Sequence, residues 1–214
     1  MKIERYNPII RFIIGLFLYL LLYSAASSIF DVAMGGNLSY SAMVFKRATH
    51  LIVAIALIVF LHTRSSVVFD YYKLPKMKPL LIVLVALFVF IVVYENTIDV
   101  WIKGNSSSTS DEIISLFRYP IAMFIQTCIT APFLEETLVR GYLYKTISNR
   151  LSPAMSLVIC NLLFSLLHFN LSNIIFYFAI GCIFSLSYLK TGNLSYALIG
   201  HLLINIVSFV SYYI

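Results

Sequence analysis

Two adjacent carboxylates and a guanidinium interrupt one apolar stretch of this chain, in the run Glu135-Glu136-Thr-Leu-Val-Arg140. Ionisable groups in an apolar, intramembrane setting are costly and therefore indicate a functional site. Glu136 and Arg140 are four residues apart, which predicts that they pair on one face of a helix. Glu135 projects about 100° away without a local cation, as a general base requires. The alternative interpretation is a cytoplasmic helix end at which all three side chains are solvated.

A histidine, His168, closes the next apolar run, 151–167. A lone histidine in such a run is commonly a hydrogen-bonded structural residue. Its depth in the membrane therefore decides between a structural and a catalytic interpretation. Counted from the turn near Arg150 at 1.5 Å per residue, Glu135 lies about 20 Å back along one helix and His168 about 25 Å forward along the next. If these helices are antiparallel neighbours, the carboxylate and the imidazole lie at similar depth.

The last apolar run carries His201 and Asn205, four residues apart and thus on one helical face. Bare burial of two such polar groups costs roughly 2–7 kcal/mol each, so both need partners. Interhelical hydrogen bonding is one interpretation. The other is that the imidazole and the amide donate to a developing oxyanion.

A zinc site is a further alternative, with Glu135, His168 and His201 as ligands and water in the fourth position. These ligands would come from three separate helices, without the close two-histidine spacing that preorganises many zinc sites. The sequence therefore favours a metal-independent mechanism and leaves zinc as the alternative cofactor.

The composition indicates a membrane protein. Of 214 residues, 61% are hydrophobic and 11% are charged, against roughly 45–50% and about 25% in soluble domains. We predict an all-α fold, a polytopic transmembrane bundle of about seven to eight hydrophobic helices, forming a single membrane domain over 1–214. Uncharged apolar runs place the helices at about 8–30, 48–63, 79–94, 119–134, 151–169, 172–189 and 194–213.

The net charge of +6 lies in the short connections between apolar runs. This distribution is explained by membrane lipid and by the positive-inside rule, and it argues against nucleic acid as a partner. The basic connection 64–78 is predicted to be cytoplasmic and the acidic connection 95–117 external, which also puts the N-terminus in the cytoplasm. Lys46 and Arg47 do not fit the positive-inside rule, because this topology places them on the external side.

The stretch 118–148 has no obvious loop and is longer than one simple span. Pro132 is expected to break or restart the helix, since proline is tolerated near a helix start. A second helix beginning near Ala131 would then carry Glu135 and Glu136 in its first turns.

Together these motifs resemble those of the CAAX protease and bacteriocin-processing family of intramembrane proteases. The resemblance covers about 119–210, whereas residues 1–118 match only as generic membrane helices. One departure is Val139, where the family often has phenylalanine before the arginine; the change is apolar. The matching runs extend from Ala131 to Leu143, from Phe164 to His168, from Thr191 to Leu194 and from His201 to Asn205.

The resemblance implies catalytic roles for four residues. Glu135 and His168 would activate the water that attacks the scissile carbonyl, and His201 with Asn205 would stabilise the oxyanion. Glu136 and Arg140 would support the geometry of the first motif.

The resemblance also implies the activity, an intramembrane endopeptidase that hydrolyses a peptide bond of a membrane-associated peptide or protein. Bacteriocin or peptide maturation and self-immunity are both compatible roles. The implied location is the bacterial cell membrane, as a multi-pass integral protein. The rival hypothesis is a non-catalytic immunity or scaffold protein whose polar residues serve helix packing.

Overall fold

The computed structural model describes residues 71–99, 120–168 and 170–211, together with helical residues at 48–49, 52–53, 55–57 and 59. These residues form helices and connecting turns, with no strand among them. The all-α prediction is therefore confirmed for this part of the chain. The five main helices are α1 (Met77–Tyr94), α2 (120–148), α3 (Pro153–Leu166), α4 (Ile174–Thr191) and α5 (Ser195–Ser211).

Two of the described helices are long and apolar enough to cross a membrane, over Met77–Thr97 and Ile174–Thr191. Helix α1 exposes large apolar side chains along most of its length, including Leu81, Val85 and Phe88. Such a surface is suited to lipid rather than to water. The described part of the chain is thus all-helical and has the apolar helices of a membrane protein. The predicted run 8–30 lies outside the described residues, so the total of seven to eight helices remains a prediction.

The observed helix bounds follow the apolar runs closely, and they differ at one predicted connection. The helical backbone of α1 continues through a π-helical turn, Glu95–Asp99, into the stretch predicted as a loop from residue 95. Helix α3 starts where Ser152 accepts the Met155 N–H and Pro153 occupies the first turn. Helix α4 ends at Gly192, whose φ of 62° is in the left-handed region that glycine adopts without strain.

Helix α2 is continuous, although it alternates between α- and π-helical stretches. Its π-helical parts are Ile125–Thr130 and Thr137–Tyr144. An α-helical stretch does start at Ala131, as predicted, with Pro132 in its first turn. Thr130 and Ala131 nevertheless keep right-handed helical dihedrals, so Pro132 does not break the helix. The two glutamates consequently lie in the middle of a long helix.

Helix α4 packs against α1, α3 and α5, and α2 packs against α3 and α5. One apolar cluster joins α2 and α3 to α4; it includes Val139, Leu143, Cys160, Phe164 and Tyr188. A second joins α1 and α4 to α5; it includes Val83, Leu87, Ile180, Phe184 and Ala197.

The turn between α4 and α5 holds the segment that leads into α1. Asn193 accepts the Lys73 N–H at 3.1 Å and donates to the Lys73 carbonyl at 3.0 Å. The Tyr196 hydroxyl accepts the Lys76 N–H at 2.7 Å. The Thr191–Leu194 motif therefore serves, in this structure, to fix the start of α1 against the other helices.

Candidate active site

Glu136 and Arg140 form the buried ion pair that their spacing predicts. Arg140 Nη1 lies 3.0 Å from Glu136 Oε1, and both side chains are fully buried. A buried pair is maintained only where further hydrogen bonds compensate for the lost hydration. The alternative of a solvated helix end is therefore wrong for these two residues.

Three groups from α3 and α4 provide those further hydrogen bonds to Arg140. Its Nη2 donates to Asn161 Oδ1 and to the Gly181 carbonyl, each at 3.0 Å, and its Nε donates to Ser185 Oγ at 3.2 Å. Ser185 in turn donates to Asn161 Oδ1 at 2.9 Å. The guanidinium carbon also lies 4.6 Å from the centroid of the Phe164 ring, a favourable cation–π position. Arg140 thus ties α2 to both α3 and α4.

Gly181 permits this close approach. A Cβ atom built at this position would lie 2.9 Å from Asn161 Oδ1 and 3.1 Å from Arg140 Nη2. The first separation is shorter than real Cβ contacts, so the buried Asn161 side chain would have to shift, and the second is tight. Glycine is therefore required where the α4 backbone meets the guanidinium.

Thr137 connects the site to the segment before α1. The hydroxyls of Tyr72 and Thr137 are 2.7 Å apart, and the Tyr72 ring stacks on Phe133 with 5.6 Å between centroids. Burial raises the pKa of Tyr72, and the nearby Glu136 carboxylate acts in the same direction. Tyr72 therefore stays neutral beside the buried ion pair.

His201 lies between the two carboxylates. Its Nδ1 is 2.9 Å from Glu136 Oε1, and its Nε2 is 3.7 Å from Glu135 Oε2. The Glu136 carboxylate is paired with Arg140 and can only accept, so Nδ1 of His201 carries a proton. Nε2 then donates only when the ring is doubly protonated.

Glu135 is the more accessible carboxylate. Its side chain is 34% exposed, against 0% for Glu136. Glu135 Oε2 has no hydrogen-bond partner and faces the ring of His201. The sequence prediction that the two glutamates have different environments agrees with this geometry.

His168 is held in one orientation by its own helix and by α4. Its Nδ1 is 2.8 Å from the Phe164 carbonyl. Because a carbonyl only accepts, Nδ1 carries a proton, and Nε2 of the neutral ring is left with a free lone pair. The ring also stacks on Tyr177 with 3.9 Å between centroids. The free nitrogen of His168 can therefore accept a proton or a hydrogen bond.

Asn205 is anchored on α2. Its Nδ2 donates to the Thr127 backbone carbonyl at 2.7 Å. One of the two amide hydrogens is used in this bond, so the other remains for a ligand. This bond also fixes the direction of the carboxamide.

The four predicted catalytic residues line one cavity of about 470 Å³, a volume suited to a small ligand or a few peptide residues. The cavity lies between α2, α3, α4 and α5. Its wall combines the polar groups with aromatic and aliphatic side chains; it includes Glu135, His168, His201, Asn205, Gln126, Met123, Phe176, Tyr177, Ile204 and Phe209.

The side chains of the zinc alternative are not drawn together into a metal-binding group. Among the described residues, no three His, Cys, Asp or Glu side chains are grouped closely enough to hold a metal ion. Protein oxygens engage Nδ1 of His168 and Nδ1 of His201, so Nε2 of each ring is the nitrogen that could hold zinc. Zinc binding by Glu135 with these two histidines stays a prediction, and the steps below do not use it.

Sequence reasoning missed Asn161, Ser185 and Thr127. Asn161 could have been found, because an amide inside an apolar membrane helix needs a partner, and it lies seven residues before His168 on the same face of α3. Ser185 gave a weaker signal, since serines are common in membrane helices. Thr127 contributes its backbone carbonyl, and a pattern of side-chain types cannot predict which backbone carbonyl accepts a hydrogen bond.

Comparisons with known proteins find a similarity over the segment that carries the site. Residues 117–207 match the family model described as "Type II CAAX prenyl endopeptidase Rce1-like". The matched segment contains Gln126 and all four predicted catalytic residues, Glu135, His168, His201 and Asn205. The family resemblance predicted from the motifs is confirmed for this segment.

Two curated relatives match part of the chain. A Mycoplasma capricolum protein described as "Uncharacterized protein" is 31% identical over 112 residues, which are 50% of this chain and 32% of that protein. A Bacillus subtilis protein named "Putative membrane peptidase YdiL" is 24% identical over 102 residues, which are 48% of this chain and 42% of that protein. The chain thus covers less than half the length of either relative. No solved structure gives a significant match.

Proposed function

Since residues 117–207 match the model of the type II CAAX prenyl endopeptidase family, we propose that the chain is an intramembrane endopeptidase that acts on a membrane-associated peptide or protein. The observation that carries the proposal is the single cavity lined by Glu135, His168, His201 and Asn205. Two acceptor groups, the Glu135 carboxylate and His168 Nε2, are available there for the two protons of a water molecule.

In the proposed first step, that water attacks the scissile carbonyl carbon. Glu135 takes one proton from the water as the new carbon–oxygen bond forms, while His168 orients the other hydrogen. The carbonyl π electrons move to the oxygen, which becomes an oxyanion. No covalent bond to the protein is needed.

The oxyanion would be stabilised by donors on α5. In this proposal His201 acts with a proton on each ring nitrogen and donates from Nε2, and Asn205 donates its remaining amide hydrogen. When the tetrahedral intermediate collapses, the carbon–nitrogen bond breaks. Glu135 returns its proton to the leaving amine, so the carboxylate is regenerated.

Glu136 and Arg140 would hold this arrangement without touching the substrate. Both are fully buried, and Glu136 Oε1 joins the guanidinium to the His201 ring. Asn161 and Ser185 then fix the guanidinium from two other helices. These contacts support the proposed role of the pair.

The rival proposal is a scaffold protein whose polar residues serve only packing. Arg140, Glu136 and Asn161 fit that description, because all three are fully buried and hydrogen-bonded. Glu135 does not, since its side chain is 34% exposed on the cavity wall and has no cation beside it on its own helix. A residue that served only packing would be expected to lie between the helices, as Glu136 does.

For the cellular role, we propose two general processes. A chain of this family in a bacterial cell membrane, with a cytoplasmic N-terminus, would serve either peptide maturation, including that of bacteriocins, or self-immunity. The substrate would be reached from the lipid, because α1 and α4 present apolar surfaces to it.

The test is a comparison of membrane peptides by mass spectrometry. Cells carrying the intact chain and cells carrying Glu135→Gln at equal abundance are compared, and the proposal expects cleavage products that are absent from the variant. Purified enzyme in liposomes should then cut a synthetic peptide that spans the same site. If the two peptide profiles are identical and no peptide is cut, the scaffold proposal replaces this one.

A further inference from the structure

Gln126 presents an unpaired carboxamide to the cavity that contains Glu135. Its Oε1 is buried and has no hydrogen-bond partner, and the residue belongs to the cavity wall. Leaving a buried acceptor unpaired costs about 1–3 kcal/mol. Such a group in a folded protein calls for an explanation. It is not part of the catalytic machinery derived above.

The surrounding wall offers Gln126 no partner. Met123 and Phe209 are apolar neighbours on the same wall. The hydroxyl of Thr127 already donates to the Met123 carbonyl at 2.8 Å. The Asn205 amide donates one hydrogen to the Thr127 carbonyl, and its second hydrogen makes no bond to Gln126 Oε1. The acceptor of Gln126 is therefore left for a group that enters the cavity.

We propose that Gln126 binds the main chain of the peptide substrate, with Oε1 accepting one backbone N–H. The inference rests on the proposed peptidase function. An extended peptide carries N–H groups without internal partners, and in a site away from water each of them needs an acceptor. A carboxamide on the cavity wall supplies one irrespective of the substrate side chains. Gln126 would thus fix the register of the bound peptide irrespective of the sequence of that peptide.

The spacing along α2 predicts which peptide unit is bound. Gln126 precedes Glu135 by nine residues, which corresponds to about 13 Å at 1.5 Å per residue. An extended peptide advances about 3.3 Å per residue. The N–H that Gln126 accepts therefore lies about four residues from the scissile bond.

The test is a backbone-ester scan of a cleaved peptide. A panel of fluorogenic decapeptides with apolar centres is first offered to the full chain in liposomes, and one that is cut by the wild type but not by Glu135→Gln is chosen. Each peptide bond except the scissile one is then replaced in turn by an ester, which removes a single N–H. The value of kcat/KM is measured for the wild type, for Gln126→Met and for a control, Thr130→Val, on the same helix but not on the cavity wall.

For the wild type and for Thr130→Val, one ester about four residues from the cut should lower kcat/KM by about fivefold to tenfold, the effect of one neutral hydrogen bond. For Gln126→Met, kcat/KM of the peptide without an ester should be lower than in the wild type by a similar factor. Introducing that ester should lower kcat/KM no further. The same ester penalty in Gln126→Met as in the wild type would overturn the inference. If no peptide is cut by the wild type, the proposed function fails instead, and the inference fails with it.

Discussion

Asn205 and Thr127 are joined by a hydrogen bond from the side-chain amide of one to the backbone carbonyl of the other, at 2.7 Å. In the π-helical stretch of α2, the Ala131 N–H bonds to the Gln126 carbonyl, five residues back. With the same five-residue spacing, the N–H that bonds to the Thr127 carbonyl would come from residue 132. This residue is a proline, which has no N–H. The proline therefore leaves free the carbonyl that anchors Asn205.

This relationship predicts the effect of Pro132→Ala. The new N–H would compete with Asn205 for the Thr127 carbonyl, so the carboxamide would lose its fixed direction. We expect peptidase activity to fall about tenfold, equivalent to about 1.4 kcal/mol in the transition state, while the protein still accumulates. Pro153→Ala, at the start of α3, is the matched control and should keep full activity. In an Asn205→Ala background Pro132→Ala should have no additional effect; additive losses would contradict the anchoring argument.

Glu135→Gln should abolish peptidase activity without reducing the amount of inserted protein. The amide keeps the shape of the side chain but cannot take the proton of the water. Because the Glu135 side chain is partly exposed and its contact with His201 Nε2 is as long as 3.7 Å, little stability depends on its charge. Activity in liposomes and abundance in membranes are the two measurements. An unchanged activity would remove Glu135 from the mechanism.

Glu136→Gln should reduce stability as well as activity. The substitution leaves the Arg140 guanidinium without its counter-ion in a fully buried position and weakens the bond to His201. Breaking a buried pair from one side costs about 3–5 kcal/mol. The measurement is the fraction of protein that stays folded in detergent on heating, compared with Glu135→Gln. Equal thermal stability of the two variants would show that the ion pair does not support the fold.

Chelation distinguishes the two mechanisms that the residues allow. Under the metal-independent mechanism, purified enzyme keeps its activity after exhaustive chelation, and Asn205→Ala lowers turnover by roughly 100- to 1000-fold, as for a lost oxyanion donor. Loss of activity that is restored by stoichiometric zinc would instead make His168 and His201 metal ligands. The variant Asn205→Ala would then retain most of its turnover.

Cysteine labelling tests the orientation. The basic connection 64–78 is predicted to be cytoplasmic and the acidic connection 95–117 external. A cysteine placed at Ser107, in a chain whose native cysteines are replaced, should react with an impermeant reagent in intact cells. Reaction only after the inner face is exposed would reverse the predicted topology.

The sequence alone determined the features that depend on local helix geometry. The pairing of Glu136 with Arg140 follows from a four-residue spacing, and the contrast with Glu135 follows from the rotation between adjacent residues. The bond from His168 to the Phe164 carbonyl is equally local, four residues back along one helix. The bounds of α1, α3, α4 and α5 followed from uninterrupted apolar runs for the same reason.

Only the tertiary structure decided which groups meet across helices. The approach of His201 to Glu136, the contact of Asn161 with Arg140 and the Thr127 anchor of Asn205 join residues 65, 21 and 78 positions apart. Their distances depend on how each helix is rotated and how deeply it is placed against its neighbours. Small residues such as Gly181 and the shapes of the packed side chains determine that arrangement jointly. No spacing within a single helix contains this information.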